Sequence, residues 1–231
     1  MDNGKERIKI LKDGPYMVTG EVPVYVERIV PDEDGNGEHY EKTTEYPPGA
    51  CVCLCRCGHT QTRPLCDGTH KEVGFTAVET ASRACYCDTA RVYEGETIDL
   101  LDRPELCVRA RFCDRFENAW RLTLKSSEAH PENEERAIYE ANHCPGGRIT
   151  VRKCGIEVEP ELPREIGLLE DVYYDTRGPI YVKGGITIES ADGTEYETRN
   201  RRSLCRCGET RNQPFCDGTH LHQKHMKGLD D

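Results

Sequence analysis

Cys55-Arg56-Cys57-Gly58-His59-Thr60-Gln61-Thr62-Arg63-Pro64-Leu65-Cys66-Asp67-Gly68-Thr69-His70 returns near the other end of the chain as Cys205-Arg206-Cys207-Gly208-Glu209-Thr210-Arg211-Asn212-Gln213-Pro214-Phe215-Cys216-Asp217-Gly218-Thr219-His220. Both stretches read Cys-x-Cys, eight residues, Cys, three residues, His. In extended backbone, residues i and i+2 share a face, so the tight pair offers two thiolates to one centre. Gly58 and Gly208 permit a sharp turn behind it. The spacing predicts a short helix begun at Pro64 and Pro214, with Asp67 and Asp217 as capping residues. One helical turn then brings Cys66 to His70 and Cys216 to His220. Each four-donor set can enclose a small metal centre without a large core. Three Cys and one His also suit zinc, but zinc knuckles usually separate the paired Cys by two residues. The tighter pair favours two thiolates on one iron of a binuclear cluster, with Cys and His on the other.

Outward from these sites, the flanks repeat as well. Gly14-Pro15-Tyr16-Met17-Val18-Thr19-Gly20-Glu21-Val22-Pro23-Val24 corresponds to Gly178-Pro179-Ile180-Tyr181-Val182-Lys183-Gly184-Gly185-Ile186-Thr187-Ile188. After Gly-Pro, both alternate apolar and polar residues as half-buried strands do. Both go on to an Asp-Gly turn, Asp34-Gly35 and Asp192-Gly193, and then to the cysteines. The first half carries extra residues, 31–49, whose Asp, Glu, Gly and Pro content predicts an exposed loop. The expected organisation is repeat, insert, repeat: residues 1–84, 85–155 and 156–231. Within the insert, the charged run 126–136 also reads as a loop.

Composition agrees with small, cross-linked units. Of the 231 residues, 36% are hydrophobic and 32% charged, too little apolar matter for one large core. The fourteen cysteines follow no apolar leader, so a reducing, cytoplasmic setting and metal ligation are expected rather than a disulfide framework. No apolar run approaches the length of a membrane span. The net charge of −11 argues against nucleic acid and suits a redox partner with a basic patch, as well as a merely solubilising surface.

The paired stretches resemble the CDGSH iron–sulfur domain family, of the mitoNEET-like type, with Thr69 and Thr219 where the family name has Ser. That resemblance implies two 2Fe-2S clusters, one on Cys55, Cys57, Cys66 and His70, the other on Cys205, Cys207, Cys216 and His220. A histidine in place of a thiolate raises the potential relative to an all-Cys centre. In the family two single-motif chains dimerise; with both motifs in one chain, an intrachain pseudo-dimer and a monomer are expected.

The insert holds Cys107-Val108-Arg109-Ala110-Arg111-Phe112-Cys113 and, later, Cys144-Pro145-Gly146-Gly147. This resembles the C-x2-C-x2-C run and distant Cys-Pro of bacterial ferredoxins, with Ala110 at the second Cys position. Three thiolates remain, Cys107, Cys113 and Cys144, which implies a 3Fe-4S cluster. A 4Fe-4S cluster completed by Cys85, Cys87 or Cys154 is the alternative. Tyr93, Gly95, Phe116 and Trp120 fit the pattern of the divergent monocluster ferredoxins found fused to CDGSH domains.

Other residues carry weaker signals. Cys51 and Cys53 extend the first motif and Cys85-Tyr86-Cys87 forms another pair; buried apolar roles are the expectation over an additional metal site. His59 and His143 read as surface residues, and His222 and His225 as a solvated tail. Trp120 and Phe112 read as packing around a cluster. Arg56 and Arg206 could steer a partner or offset cluster charge. No nucleophile–base pair, phosphate-cradling loop or dinucleotide fingerprint is present, so catalysis is not expected. The sequence therefore predicts an α+β fold, two β-rich units paired as a pseudo-dimer with a ferredoxin-like insert, serving electron transfer or, alternatively, cluster carriage or redox and pH sensing by release of 2Fe-2S through His70 and His220.

Overall fold

The computed structural model describes residues 6–229. The first half forms β1 (Arg7–Ile10), β2 (Tyr16–Thr19), β3 (Val24–Pro31), β4 (Gly37–Tyr46) and β5 (Cys51–Leu54), then a single turn of helix, α1 (Thr69–Glu72). The insert follows with α2 (Tyr86–Thr89), β6 (Arg91–Glu94), β7 (Asp99–Asp102), α3 (Ala119–Leu124), α4 (Pro131–Asn142), β8 (Ile149–Lys153) and β9 (Ile156–Val158). The second half forms β10 (Ile166–Asp171), β11 (Thr176–Lys183), β12 (Thr187–Glu189) and β13 (Arg201–Leu204). The fold is α+β.

The repeat becomes an exchange of strands. One sheet runs β12-β1-β2-β5 and another β13-β11-β10-β3-β4. The third strand of each half thus leaves its own sheet and joins the other's. It lies parallel to the other half's first strand, with Ile8 opposite Ile188 in one sheet and Leu168 opposite Val26 in the other. Alternation explains why these segments are strands: in β1, Ile8 and Ile10 are fully buried while Arg7 and Lys9 reach outward to Glu189. Residues from both halves fill one core, including Ile8, Tyr16, Val24, Leu54, Ile166, Ile180, Ile188 and Leu204. A core shared in this way makes the two halves one folded unit, as the pseudo-dimer reading expected.

Three local expectations are corrected. Residues 31–49 are not a loop: β4 pairs antiparallel with β3 along most of its length. As a sheet-edge strand it is largely exposed, hence its polar composition. It is anchored by Tyr40, whose ring packs 4.7 Å from Phe112 and 5.9 Å from Tyr181. Run 126–136 is not wholly a loop either, because α4 begins at Pro131. Proline suits a first helical position, and Glu132 and Glu134 complement the helix N-terminus, so residues that look like breakers and surface charge start a helix. Finally, Pro64 and Pro214 do not begin helices. Both follow cis peptide bonds in the turn before the third cysteine, and the helical turn starts only at Thr69 in the first half.

The insert is a β6-β7-β8-β9 antiparallel sheet with α3 and α4 against it, closed around Leu100, Leu122, Ala137, Ala141 and Val151. No helix among the described residues is long and apolar enough to cross a membrane.

Candidate metal centres

The two repeated sites are built bond for bond alike. Cys55 N–H donates to the Pro64 carbonyl at 2.9 Å, and Cys205 N–H to that of Pro214 at 2.8 Å. Cys66 N–H reaches the Cys53 carbonyl at 2.9 Å, and Cys216 N–H that of Ser203 at 2.9 Å. The threonines after each Cys-x-Cys close the loop, Thr60 donating to the Leu65 carbonyl at 2.6 Å and Thr210 to that of Phe215 at 2.8 Å. Asp67 accepts from Gln61 and Thr69 N–H, and Asp217 from Arg211 and Thr219 N–H. The aspartates therefore tie the loop to the helical turn from one residue before its cap, which is Gly68 or Gly218 and not the predicted Asp67 or Asp217.

Each site presents its donors in two pairs. The Cys55 and Cys57 sulfurs lie 3.7 Å apart, and Cys66 Sγ lies 3.3 Å from His70 Nδ1. In the second site the corresponding distances are 3.6 and 3.3 Å. The Cys57 thiol and the N–H groups of Thr60, Gly58 and Cys57 hold the Cys55 thiol below its ordinary range. Cys205 is lowered in the same way by Cys207 and the N–H groups of Thr210, Gly208 and Cys207. These loops are thus organised to receive a thiolate. Burial, reinforced by Arg206, lowers His220 to about 3 and keeps its imidazole neutral, the form that ligates metal. Among the described residues no three His, Cys, Asp or Glu side chains converge on a single ion position. The thiolate and imidazole donors fit an iron–sulfur group.

The two sites face each other across the pseudo-dimer. A Cβ placed on Gly58 would stand 3.0 Å from the Cys207 carbonyl oxygen, and one on Gly208 would stand 2.9 Å from that of Cys57. Tyr16 donates to the Cys205 carbonyl at 2.9 Å. His225, expected in a solvated tail, instead stacks on His59 with ring centroids 4.5 Å apart and donates from Nε2 to the Cys207 carbonyl at 3.0 Å. His222 is exposed, as expected. Arg56 and Arg206 are buried and serve as internal pins: Arg56 donates to Gln213 and Arg206 to the Gly178 and Leu169 carbonyls.

In the insert, Cys107, Cys113 and Cys144 line one cavity of about 240 Å³, together with Ala110, Asp114, Trp120 and Arg148. Ala110 offers no donor at its corner. Cys85, Cys87 and Cys154 are exposed and do not line this cavity. Cys87 instead meets Glu157, its Sγ 3.3 Å from Oε1. Cys51 is exposed and Cys53 partly so on the edge strand β5, not buried as small apolar residues. His143 is half-buried and stacked on Tyr139 at 3.9 Å, a packing residue rather than a surface one. Trp120 and Phe112 do pack beside the cavity, and Tyr93 packs on the insert core.

Two residues here escaped the sequence. Arg148 donates to both Asp102 carboxylate oxygens, at 2.7 and 3.1 Å, beneath Trp120, whose Nε1 also donates to Asp102. Burial opposes its charge, but Asp102 and the neighbouring Cys107 thiol hold its pKa above the ordinary value. Fully buried Arg201 bonds Glu159 at 2.6 Å and the carbonyls of Ala141 and Cys144, capping the end of α4. The only sequence signal for either was an arginine close to a ligand segment.

Residues 13–71 and 177–221 match the family model for an iron-binding zinc finger of CDGSH type, and residues 93–154 match that for a divergent 4Fe-4S mono-cluster. No curated protein and no solved structure matches the chain. Two CDGSH regions and one mono-cluster region make this an iron–sulfur protein.

Proposed function

We propose that this iron–sulfur chain is an electron-transfer protein with two 2Fe-2S centres, on Cys55/Cys57/Cys66/His70 and Cys205/Cys207/Cys216/His220, and a 3Fe-4S centre on Cys107/Cys113/Cys144. When bound, such centres supply one-electron couples. The observation that carries the reading is the contiguity of the three donor sets. The first and second sites approach through their cysteine carbonyls at Gly58 and Gly208. The second meets the insert where Cys216 packs in one apolar cluster with Val108 and Ala110. The pairing of donors supports a binuclear centre over a single zinc ion, and the donorless corner at Ala110 supports three irons over four.

The chain's own residues do the rest. Loop N–H groups stabilise thiolates, Arg148 offsets charge at Cys107, and apolar side chains keep water from the second site. The acidic surface suits a partner with a basic face. A second reading, cluster carriage, is favoured by the partial exposure of Cys66 and His70.

Anaerobic purification with iron and sulfide counting, joined to EPR of oxidised and reduced protein, tests the reading. Reversible reduction with about seven irons per chain is expected, and about eight would indicate a 4Fe-4S insert. Zinc in place of iron, or centres that cannot be reduced and reoxidised, would overturn it.

A further inference from the structure

Gly68 and Gly218 hold the same place in the two CDGSH motifs and the same left-handed backbone, with φ 94° and 87°. Their surroundings differ. A Cβ on Gly68 would meet nothing within 4 Å, whereas one on Gly218 would come 2.7 Å from Arg109 Cγ and 3.0 Å from the Cys107 carbonyl oxygen. The insert's ligand loop therefore lies over the second motif and leaves the first bare.

The rest of the insert reinforces the cover. Ser203 donates to the Pro145 carbonyl at 2.9 Å, Asn212 to that of Glu105 at 3.2 Å, and Arg201 binds the Cys144 carbonyl. Cys216, in one apolar cluster with Val108 and Ala110 of the insert, is 2% exposed, and His220, on the turn that packs against β11, is 3% exposed, while Cys66 and His70 are partly exposed. Where the second half has Arg201 buried under the insert, the equivalent position of the first half is the exposed Cys51.

We infer that the two CDGSH sites are functionally unequal: the first is the exchangeable, solvent-facing site, and the second is a sealed relay position between it and the insert. The inference rests on the iron–sulfur electron-transfer reading and assigns each site its part in it. A reagent outside the protein reaches the first site directly. It reaches the second only after the Cys107–Arg109 loop lifts, and a tenfold smaller open population corresponds to about 1.4 kcal/mol of opening.

The test uses the full chain, purified anaerobically with its clusters, reduced with excess dithionite and mixed at neutral pH with excess bathophenanthroline disulfonate, a ferrous-iron chelator. Visible absorbance and EPR follow cluster loss. Loss of the 2Fe-2S signal in two equal phases, the second at least about tenfold slower, is expected. His70→Cys should slow the fast phase alone. Arg109→Gly, which keeps the positive φ of this position without strain and uncovers Gly218, should speed the slow phase alone. A single phase for both centres, a slow phase that responds to His70→Cys, or a slow phase indifferent to Arg109→Gly would overturn the inference. Failure of the underlying reading is distinct: zinc, or no reversible reduction, would be evident before any chelator is added.

Discussion

The Tyr16 hydroxyl donates to the backbone carbonyl of Cys205 at 2.9 Å, so the first half's β2 holds the second half's first ligand in place. The same hydroxyl lies 3.2 Å from the Pro214 carbonyl, and the side chain is fully buried. Tyr16→Phe should cost about 1–3 kcal/mol, because a buried carbonyl loses its donor. Urea unfolding of the iron-loaded protein checks this, with a lowered midpoint and an unchanged slope expected.

Arg201 joins the insert to the second half through Glu159 and the carbonyls of Ala141 and Cys144. Arg201→Met would leave Glu159 with less compensation and the end of α4 uncapped. A loss of about 1–3 kcal/mol is expected, the cost of leaving the Ala141 and Cys144 carbonyls without their donor. Limited proteolysis should then cut the insert first, whereas a cut pattern like that of the parent protein would refute this account.

Arg148 sets a positive charge beside Cys107 while being oriented by Asp102. Arg148→Gln should lower the reduction potential of the insert's centre, by on the order of tens of millivolts, since an added electron loses a nearby cation. EPR-monitored redox titration measures it. The CDGSH centres should keep their potentials.

Glu140 on α4 is buried, accepts from Phe116 N–H at 2.8 Å through Oε1, and has no partner for Oε2 among the described residues. Burial, with the negative charge of Asp114 adding to it, raises its pKa from 4.5 to about 7. The folded state therefore keeps a proton that the unfolded chain has already released between these values. Its contribution to stability is complete below pH 4.5 and declines as pH rises toward about 7. Urea midpoints of Glu140→Gln should be less pH-dependent over this window than those of the parent protein. An identical slope in both would remove Glu140 from the account.

The candidate metal sites were legible because their information is local: sixteen residues carry the candidate ligands, the turn and the loop-closing threonine, and the copy at Cys205 repeats them. The strand after Gly14 was legible from alternation, whereas the one after Gly178, expected to be half-buried, is buried along its whole length in the middle of its sheet. The exchange of β3 and β12 was not, because alternation tells which face of a strand is buried but not which strand lies beside it. β4 and α4 were missed for a related reason. One is an exposed edge and the other a surface helix, so their residues are chosen for water more than for a core. Arg148, Arg201 and Glu140 gain their meaning from partners far along the chain, and nothing nearby announces a buried charge. The inequality of the two CDGSH sites lies wholly in what covers them.

The exchange of strands also bears on how the protein is made. β1 has no parallel neighbour until β12 exists, and Arg7 meets Glu189, 182 residues along, at 2.6 Å. A ribosome adding about 5–20 residues per second needs roughly 10–40 s to span that interval. For about the last two-thirds of it Cys55, Cys57 and Cys66 have been synthesised while the sheet beside them is one strand short. The finished sheet therefore arrives late in translation, well after the cysteines that follow β5.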